Sequence, residues 1–389
     1  MYPARRGVRP PALEPLLPSE NDRRPHAGTI LAWRSPGVRR TEHARTSELT
    51  EPFVWPKPVV YGETENLPIV RVRCGRGFAY RDDGGRLIRE PEERLRFAAL
   101  AIPPAWEMVR IAAKGNRHLQ AIGRDARKRK QYRYHPLWIE QNKLRDFERL
   151  PAFASALPKI REFADAQLRR QVLDREHMVG IALRLLDRTL IRVGNDCYVE
   201  TNGSYGLTTL TDRQVVARGD RLTFRFVGKG GKDVELDLRD PRAARAIRRC
   251  HELPGHRLLQ YFEDDGEICP LTSTDINDTL RELTGETFTA KTFRTWGGTV
   301  DAFGRLAGQP LPESVTERTR ILNGHLRETA EVLGNTLAVC RKYYVHPEVI
   351  AAYERGVLAR RQPKVRARRG LDGVETAALR FLVDAFSRT

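Results

Sequence analysis

Two stretches of the chain alternate hydrophobic and polar residues with the period of a β-strand. In the first, which starts near Pro68, Val70, Val72 and Cys74 alternate with arginines, and residues 82–85 supply the Asp and Gly residues of a turn. Successive side chains of a strand point to opposite faces. The pattern therefore predicts a β-sheet with one face in water.

The second alternating stretch has the pattern of a hairpin. Residues 228–232 contain only Gly and Lys and can form its turn. Apolar residues alternate with polar ones on both sides of this turn, at Leu222, Phe224, Phe226, Val234, Leu236 and Leu238. We therefore predict two paired strands.

Elsewhere the apolar positions recur with the period of a helix. Pro91–Leu100 begins with Pro and acidic residues, as a helix N-terminus prefers, and a short strand follows at Met108–Ala112. From about Leu144 the pattern is mainly helical. Between His177 and Ile191 one face is apolar, with Val179, Leu183, Leu186 and Leu190.

Together these patterns predict an α+β chain with a small β-rich N-terminal domain and a larger, mainly α-helical domain. We expect the β-rich domain over residues 59–145 and the helical domain over residues 146–355. Residues 1–58 are rich in Pro, Arg and Glu without a sustained period, so we expect a basic, disordered extension. Residues 356–389 are predicted to form a basic tail with a short helix.

The charge balance points to a polyanionic partner. The 389 residues include 68 Lys and Arg against 50 Asp and Glu, a formal net charge of +18. Such a surface gains affinity for nucleic acid by releasing its counterions. A basic protein without such a partner remains the alternative.

Several other classes of protein lack support in the sequence. The five cysteines are far apart, without zinc spacing, and paired carboxylates at metal spacing are missing, so we expect a reducing compartment and no metal. Residues 228–232 lack the spacing of a nucleotide-binding phosphate loop, so we expect no nucleotide cofactor. No apolar run approaches the roughly 18 residues of a membrane span, and we expect a cytoplasmic protein without a membrane segment.

Residues 123–135 interleave cations with aromatic hydroxyl groups. In a strand, Tyr132 and Tyr134 would share one face. The cations suit phosphates, while amide and phenol groups can reach sugars or base edges. We therefore predict a DNA-binding strand formed by Arg127, Arg129, Lys130, Gln131, Tyr132 and Tyr134. The alternative is a solvated basic strand with its tyrosines in the core.

Three further segments offer cations to a phosphate. Arg192 follows the predicted helix that ends at Ile191, where an arginine can also interact with the helix dipole. Lys229 stands at the hairpin tip and could donate a proton to a leaving oxygen, or be an ordinary turn lysine. Lys291 and Arg294 are three residues apart and would share a helix face, where they could grip one phosphate together.

The segment that begins at Leu333 ends in two adjacent tyrosines, Tyr343 and Tyr344. A phenol titrates near pH 10, so it is a nucleophile at neutral pH only where cations favour the phenolate. The basic segments above can supply those cations. On a helix the two tyrosines point about 100° apart, so only one can face a site.

In this order along the chain, these motifs resemble the type IB DNA topoisomerases, in particular the bacterial group that is similar to the small poxvirus enzymes. The resemblance runs from roughly Pro68 to Tyr353. It rests on six segments: Ile102–Trp106, Arg129–Tyr134, Leu190–Gly194, Phe226–Lys229, Lys291–Arg294 and the segment ending at Tyr344.

The resemblance implies a helical catalytic domain of the tyrosine recombinase and topoisomerase IB type with five catalytic positions. Tyr344 would be the nucleophile that forms a 3′-phosphotyrosyl link. Arg192 and Arg294 would stabilise the transition state, and Lys229 would protonate the 5′-oxygen. Asn335 stands where many relatives have histidine; asparagine can donate a hydrogen bond but cannot titrate.

The implied protein is a monomeric enzyme that relaxes positive and negative supercoils in double-stranded DNA by transient cleavage of one strand. It would need no ATP, metal or other cofactor and would act in the cytoplasm, at the nucleoid. One alternative is a tyrosine site-specific recombinase, which would usually bring a helical DNA-binding arm domain. Another is a non-enzymatic DNA-binding protein, which would be expected to have lost one of the five positions.

Overall fold

The chain forms two compact units in the computed structural model, which describes residues 54–61, 67–263, 265–368 and 370–387. Residues 1–53, most of the predicted basic extension, lie outside the described residues. We call the first unit the sheet unit; its described residues are 54–61, 67–124 and 130–135. The second is the helical unit, with residues 125–129 and the described residues from 136 onward. Within these ranges no helix combines the length and the hydropathy that a membrane crossing requires.

The described part of the sheet unit contains five antiparallel strands and one helix. They are β1 Ile69–Cys74, β2 Gly77–Arg81, α1 Pro91–Ala99, β3 Glu107–Ile111, β4 Leu119–Arg124 and β5 Lys130–Tyr134. The strand order is β2-β1-β3-β4-β5, so β5 lies at an edge of the sheet. Helix α1 covers one face, where Phe97 packs with Ile69, Val109 and Ile111. A second, smaller cluster of buried residues in this unit contains Leu67, Ala112 and Leu119.

The first alternating stretch is confirmed as strand β1, but its buried face is the opposite of the expected one. Ile69 and Arg71 are buried, and Arg71 is only 8% exposed. Its guanidinium donates hydrogen bonds to the carbonyl groups of Ile102, Pro103 and Trp106, at 3.2, 3.0 and 2.7 Å. These bonds offset the cost of burying the charge, because a guanidinium has several donors to satisfy.

The helical unit consists mainly of helices around one hydrophobic core. Its helices are α2 Pro136–Glu148, α3 Leu150–Gln167, α4 Arg175–Thr189, α5 Asp196–Asn202, α6 Pro241–Cys250, α7 Ser273–Thr284, α8 Ala290–Leu306, α9 Val315–Leu333, α10 Leu337–Tyr343, α11 Pro347–Glu354 and α12 Gly373–Phe386. Its strands are β6 Val215–Arg218, β7 Arg221–Gly228, β8 Lys232–Arg239, β9 Gln260–Phe262 and β10 Ile268–Pro270. Short 3-10 helices span Leu207–Thr209, Asp212–Gln214 and Leu358–Arg360. The α+β prediction is confirmed.

Two predicted elements of the helical unit are found where the apolar periodicity placed them. The predicted hairpin is formed by β7 and β8, and all six of its alternating apolar residues are buried. The predicted helix from His177 to Ile191 is α4. Asp174 caps its N-terminus, where the side chain accepts a hydrogen bond from the backbone N–H of His177. The boundary that the sequence predicts between the β-rich and the helical domain, between residues 145 and 146, falls within α2. The domain boundaries remain predictions.

The segment predicted as a basic tail contains α12, and this helix packs into the core of the helical unit. Its Phe381 is buried, and its Glu375 is only 3% exposed. Glu375 accepts hydrogen bonds from Arg161 of α3 at 2.7 and 2.8 Å and from the indole of Trp296 of α8 at 3.3 Å. Arg161 also pairs with Asp187 of α4 at 2.9 Å. This network ties α3, α4, α8 and α12 together.

Removing the carboxylate of Glu375 should destabilise the helical unit strongly. We expect Glu375→Ala to lower the free energy of unfolding by about 3 kcal/mol, since it removes one of the two carboxylates that pair with Arg161 and the acceptor of the Trp296 indole. Urea unfolding measures the effect. The matched control is Asp384→Ala on the same helix, where the ion pair with Arg361 is exposed and is expected to contribute less than about 1 kcal/mol. Equal effects of the two substitutions would contradict the importance of the buried network.

Candidate active site

Arg294 is the buried centre of the candidate site. It lies in the second turn of α8 and is 3% exposed. Its guanidinium donates hydrogen bonds to the carbonyl oxygens of Leu190, where α4 ends, and of Leu333, the last residue of α9. The last carbonyl groups of a helix lack partners within that helix and carry its negative dipole end. Arg294 therefore caps two helices at once.

Both capped helices end with a left-handed residue. Leu190 has φ of 54°, which is uncommon for a residue with a side chain, and Gly334 after α9 has φ of 60°. The chain then turns sharply at both points. These turns bring Arg192 and Asn335, the next side chains of interest, into contact.

Arg192 and Asn335 form a hydrogen bond in which the guanidinium donates to Oδ1 of the amide. A guanidinium has no acceptor, so this bond fixes which way the amide faces. Nδ2 of Asn335 is buried and has no hydrogen-bond partner among the residues that the structure describes. A buried donor of this kind is costly in the absence of an acceptor. It is therefore available to a bound oxygen atom.

Tyr344 lies against Arg294. The guanidinium carbon of Arg294 is 5.1 Å from the centroid of the phenol ring. The backbone of Tyr344 packs on α8, where Thr299 donates a hydrogen bond to its carbonyl oxygen at 3.3 Å. A Cβ atom at Gly298 would come within 2.8 Å of the same oxygen, so this close approach requires glycine.

The electrostatics around Tyr344 favour the phenolate. Burial would raise the pKa of the phenol, but the charge and the hydrogen bond of Arg294, with further contributions from Arg192 and Lys291, outweigh burial and hold the pKa below its usual value. The ring of Tyr343 instead lies 5.3 Å from Nζ of Lys342. Among the described contacts, the geometry thus brings Tyr344, not Tyr343, to the arginines.

Lys229 is exposed at the tip of the β7–β8 hairpin and shares a cavity of about 690 Å³ with Arg192. Arg127 and Arg129 line the same cavity, and both donate hydrogen bonds to Oδ1 of Asn202, at 2.6 and 3.0 Å. The structure therefore brings four predicted cations to one cavity of the helical unit.

The sequence pattern predicted that Arg127 and Arg129 lie in a strand, and this prediction is wrong. They lie in a turn before β5, in which the carboxylate of Asp125 accepts hydrogen bonds from both of their backbone N–H groups, at 2.9 and 3.0 Å. A carboxylate that bonds the backbone two residues ahead favours a turn over a strand. The aspartate at position 125 is the residue in the sequence that could have indicated this turn.

Lys291 and Arg294 occupy different environments although they are neighbours on α8. Nζ of Lys291 lies 2.6 Å from a carboxylate oxygen of Asp146 at the surface, whereas Arg294 is buried. That Lys291 and Arg294 bind one phosphate together remains a prediction. Lys291 nevertheless contributes to the lowered pKa of Tyr344.

Strand β5 of the sheet unit presents an aromatic face. Tyr132 and Tyr134 are 41% and 40% exposed, and their ring centroids are 6.0 Å apart. Nζ of Lys130 lies 5.5 Å from the Tyr132 ring on the same face. The alternative with these tyrosines in the core is wrong. Gln131 projects from the other face of the strand, so it does not join the tyrosines there.

The hydrogen bonds that assemble the site were not evident from the sequence. The partners of Arg294 are backbone carbonyl groups, which no side-chain motif marks. Gly334 could have indicated the end of α9, and the pair Gly297 and Gly298 could have indicated a close backbone approach to α8. No group of three or more metal-ligating side chains occurs within the described ranges.

Family models match both units. Residues 128–370 match the family described as the catalytic core of eukaryotic DNA topoisomerase I, and residues 77–125 match the N-terminal domain of bacterial DNA topoisomerase IB. The first match covers more than half of the chain. The chain belongs to the type IB DNA topoisomerase family. The resemblance found in the sequence is thereby confirmed, including its bacterial group.

Viral topoisomerases are among the relatives. The DNA topoisomerase 1B of Acanthamoeba polyphaga mimivirus is 29% identical over 295 residues, which cover 74% of this chain and 87% of the viral protein. The DNA topoisomerase I of monkeypox virus is 22% identical, and the DNA topoisomerase 1B of vaccinia virus is 21% identical. Each of these two matches covers 59% of this chain and 70% of the viral protein.

The cations around Tyr344 should affect its pKa in a definite order. Replacing Arg294 with Gln should raise the pKa of the phenol most, because Arg294 provides the largest charge effect and burial then dominates; Lys291→Gln should raise it least. The ¹³Cζ shift of labelled tyrosine, assigned with Tyr344→Phe, reports the titration. Lys342→Gln, which removes the cation beside Tyr343, is the matched control and should leave the Tyr344 titration in place. An unchanged titration in Arg294→Gln would show that this guanidinium does not control the phenol.

Proposed function

We propose that this type IB topoisomerase family member relaxes positive and negative supercoils by cutting one strand of double-stranded DNA through Tyr344 and resealing it. The observation that carries the proposal is the phenol of Tyr344 held against the buried guanidinium of Arg294. A cation in this position favours the anionic nucleophile that attack on a phosphodiester requires.

In the proposed cleavage step the phenolate oxygen attacks the scissile phosphorus. The new bond joins phosphorus to Tyr344, and the bond from phosphorus to the 5′-oxygen breaks, with its electron pair passing to that oxygen. Lys229 donates a proton, which leaves a free 5′-hydroxyl. The 3′ end of the cut strand stays linked to the tyrosine.

The nonbridging oxygens gain negative charge in the transition state, and three side chains are proposed to stabilise it. Arg192 and Arg294 supply guanidinium donors, which remain numerous even after two N–H groups of Arg294 bond helix carbonyls. The buried Nδ2 of Asn335 supplies a neutral donor. Donors fixed in place before the reaction need little reorganisation as the charge develops.

The asparagine at position 335 supports hydrogen bonding over base catalysis at this position. Its amide cannot titrate near neutral pH, and its oxygen already accepts a hydrogen bond from Arg192. The histidine of many relatives would be expected to act in the same way, as a donor to a nonbridging oxygen.

The proposed reaction conserves the energy of the cut bond in the phosphotyrosine ester. The duplex can then swivel about its intact strand under its own torsion, and the 5′-hydroxyl reverses the attack. Protein side chains supply every charge that the steps above use, so we propose that neither ATP nor a metal ion is needed. Torsion in the DNA alone sets the direction of relaxation.

We further propose that a monomer acts on the DNA in the cytoplasm, at the nucleoid. The net charge of +18 supports a duplex partner. The aromatic and basic face of β5, with Lys130, Tyr132 and Tyr134, suits a DNA groove. Arg127 and Arg129 at the cavity suit phosphates close to the cut.

Two alternatives are less well supported. A tyrosine site-specific recombinase would share the nucleophile and its cations, but residues 77–125 match the N-terminal domain of a topoisomerase. A non-enzymatic DNA-binding protein has no need for a phenol whose pKa is lowered by neighbouring arginines.

Plasmid relaxation tests the proposed function. The full chain should relax both positively and negatively supercoiled plasmid in EDTA without ATP, because the chemistry uses only side chains. Tyr344→Phe should abolish relaxation, since it removes the attacking oxygen and little else. Agarose gels of the topoisomers measure the result.

Tyr343→Phe is the matched control for this experiment and should keep relaxing the plasmid. Loss of activity in Tyr343→Phe together with activity in Tyr344→Phe would overturn the assigned nucleophile. Exchange of strands between paired sites, in place of simple relaxation, would favour the recombinase.

A further inference from the structure

The cavity beside Lys229 extends beyond the groups that the proposed chemistry uses. Its volume of about 690 Å³ lies within the range of sites for small organic ligands. Besides the four cations, its lining includes Asn195, Ser204 and Tyr205. Cations together with an aromatic ring are the groups that bind a phosphate and its adjoining nucleoside.

Tyr205 is fixed between the segments that carry Lys229 and Arg192. Its backbone N–H donates a hydrogen bond to the carbonyl of Val227, two residues before Lys229, at 2.8 Å. The next residue, Gly206, packs so closely on Gly194 that a Cβ atom at Gly206 would come within 2.5 Å of the Gly194 Cα. Tyr205 therefore has little freedom to move away from the cavity.

Tyr205 is only half-buried. It packs against the hydrophobic core of the helical unit and also lines the cavity. A tyrosine that packs on the core and also lines a basic cavity is a suitable platform for a nucleobase.

We propose that this cavity holds the 5′-terminal nucleoside of the cut strand and that Tyr205 stacks on its base; this inference rests on the proposed function. Lys229 protonates the 5′-oxygen in that proposal, so the nucleoside attached to this oxygen must lie beside Lys229. Once the strand is cut, the terminal base loses a stacking neighbour at the break. Tyr205 covers the exposed face of that base.

This subsite would favour resealing over continued swivelling. A base held by Tyr205 keeps the 5′-hydroxyl close to the phosphotyrosine, where it can attack the phosphorus. A strand whose terminal base makes no such contact swivels away with its duplex and must return to the site before it can be resealed. Tyr205 is thus a substrate-binding residue for the religation step.

The test uses the covalent adduct that the full chain forms on a duplex whose short leaving strand dissociates. Acceptor strands with a free 5′-hydroxyl are then added, with either a normal or an abasic 5′-terminal nucleotide. The religation rate at increasing acceptor concentration gives the acceptor affinity. The wild type should prefer the normal acceptor by on the order of tenfold, as one stacked base suggests.

Substitutions at position 205 then separate stacking from other effects. Tyr205→Leu keeps apolar packing but lacks a flat ring, so it should weaken the preference for the normal acceptor to what base pairing with the intact strand supplies; Tyr205→Phe should keep the full preference. Phe262→Ala removes an exposed aromatic ring of the same unit that does not line the cavity, and it should behave as the wild type. Comparing the two acceptors within each variant cancels general effects on stability.

Three results would overturn the proposal. An equal affinity of the wild type for both acceptors would exclude stacking on the base, whatever the variants do. An unchanged preference in Tyr205→Leu would assign the stacking to another group. Failure of the wild type to form any adduct would overturn the proposed function itself, and the subsite with it, which distinguishes that failure from the other two.

Discussion

The whole site depends on the burial of one guanidinium, that of Arg294, between the carbonyl ends of two helices. Taking a charge out of water costs several kcal/mol unless nearby groups compensate. Here the compensation comes from the C-terminal carbonyl groups of α4 and α9 and from the ring of Tyr344. The contacts that make burial possible therefore also fix where both helices end, and with them the positions of Arg192 and Asn335.

This arrangement gives one side chain a structural and an electrostatic role. Arg294 holds the segments after α4 and α9, and the same positive charge lowers the pKa of Tyr344. Behind it, Trp296 of the same helix bonds Glu375, which joins Arg161 and α12 to the assembly. Because α8 is held from both sides, its charge has little freedom to relax, as preorganised electrostatics require.

Much of the fold could be predicted from the sequence because long periodic segments are locally determined. Helix α4 and the β7–β8 hairpin follow from their apolar spacing. Strand β1 was predicted with the wrong face buried, because the periodicity does not show that Arg71 finds three carbonyl partners inside the unit. Helix α12 was visible as an amphipathic segment, but its burial depends on distant residues such as Arg161.

In the candidate site, too, the sequence predicted which residues are present but not the contacts between distant segments. The residue types and their order indicated Arg192, Lys229, Arg294 and Tyr344, and Asn335 followed only from the resemblance to relatives. The resemblance assigned the nucleophile to Tyr344, whereas the residue pattern alone left both Tyr343 and Tyr344 open. That choice depends on how α10 packs against α8, where Gly298 and Thr299 hold the backbone of Tyr344.

Peptide mapping of the trapped covalent adduct tests the central claim most directly. Trypsin cuts after Lys342 and Arg355, so a single peptide from Tyr343 to Arg355 contains both candidate nucleophiles. The buried guanidinium of Arg294 predicts that fragmentation of this peptide finds the 3′-phosphate of the DNA on Tyr344. A nucleotide on Tyr343, or no nucleotide on either tyrosine, would contradict the account.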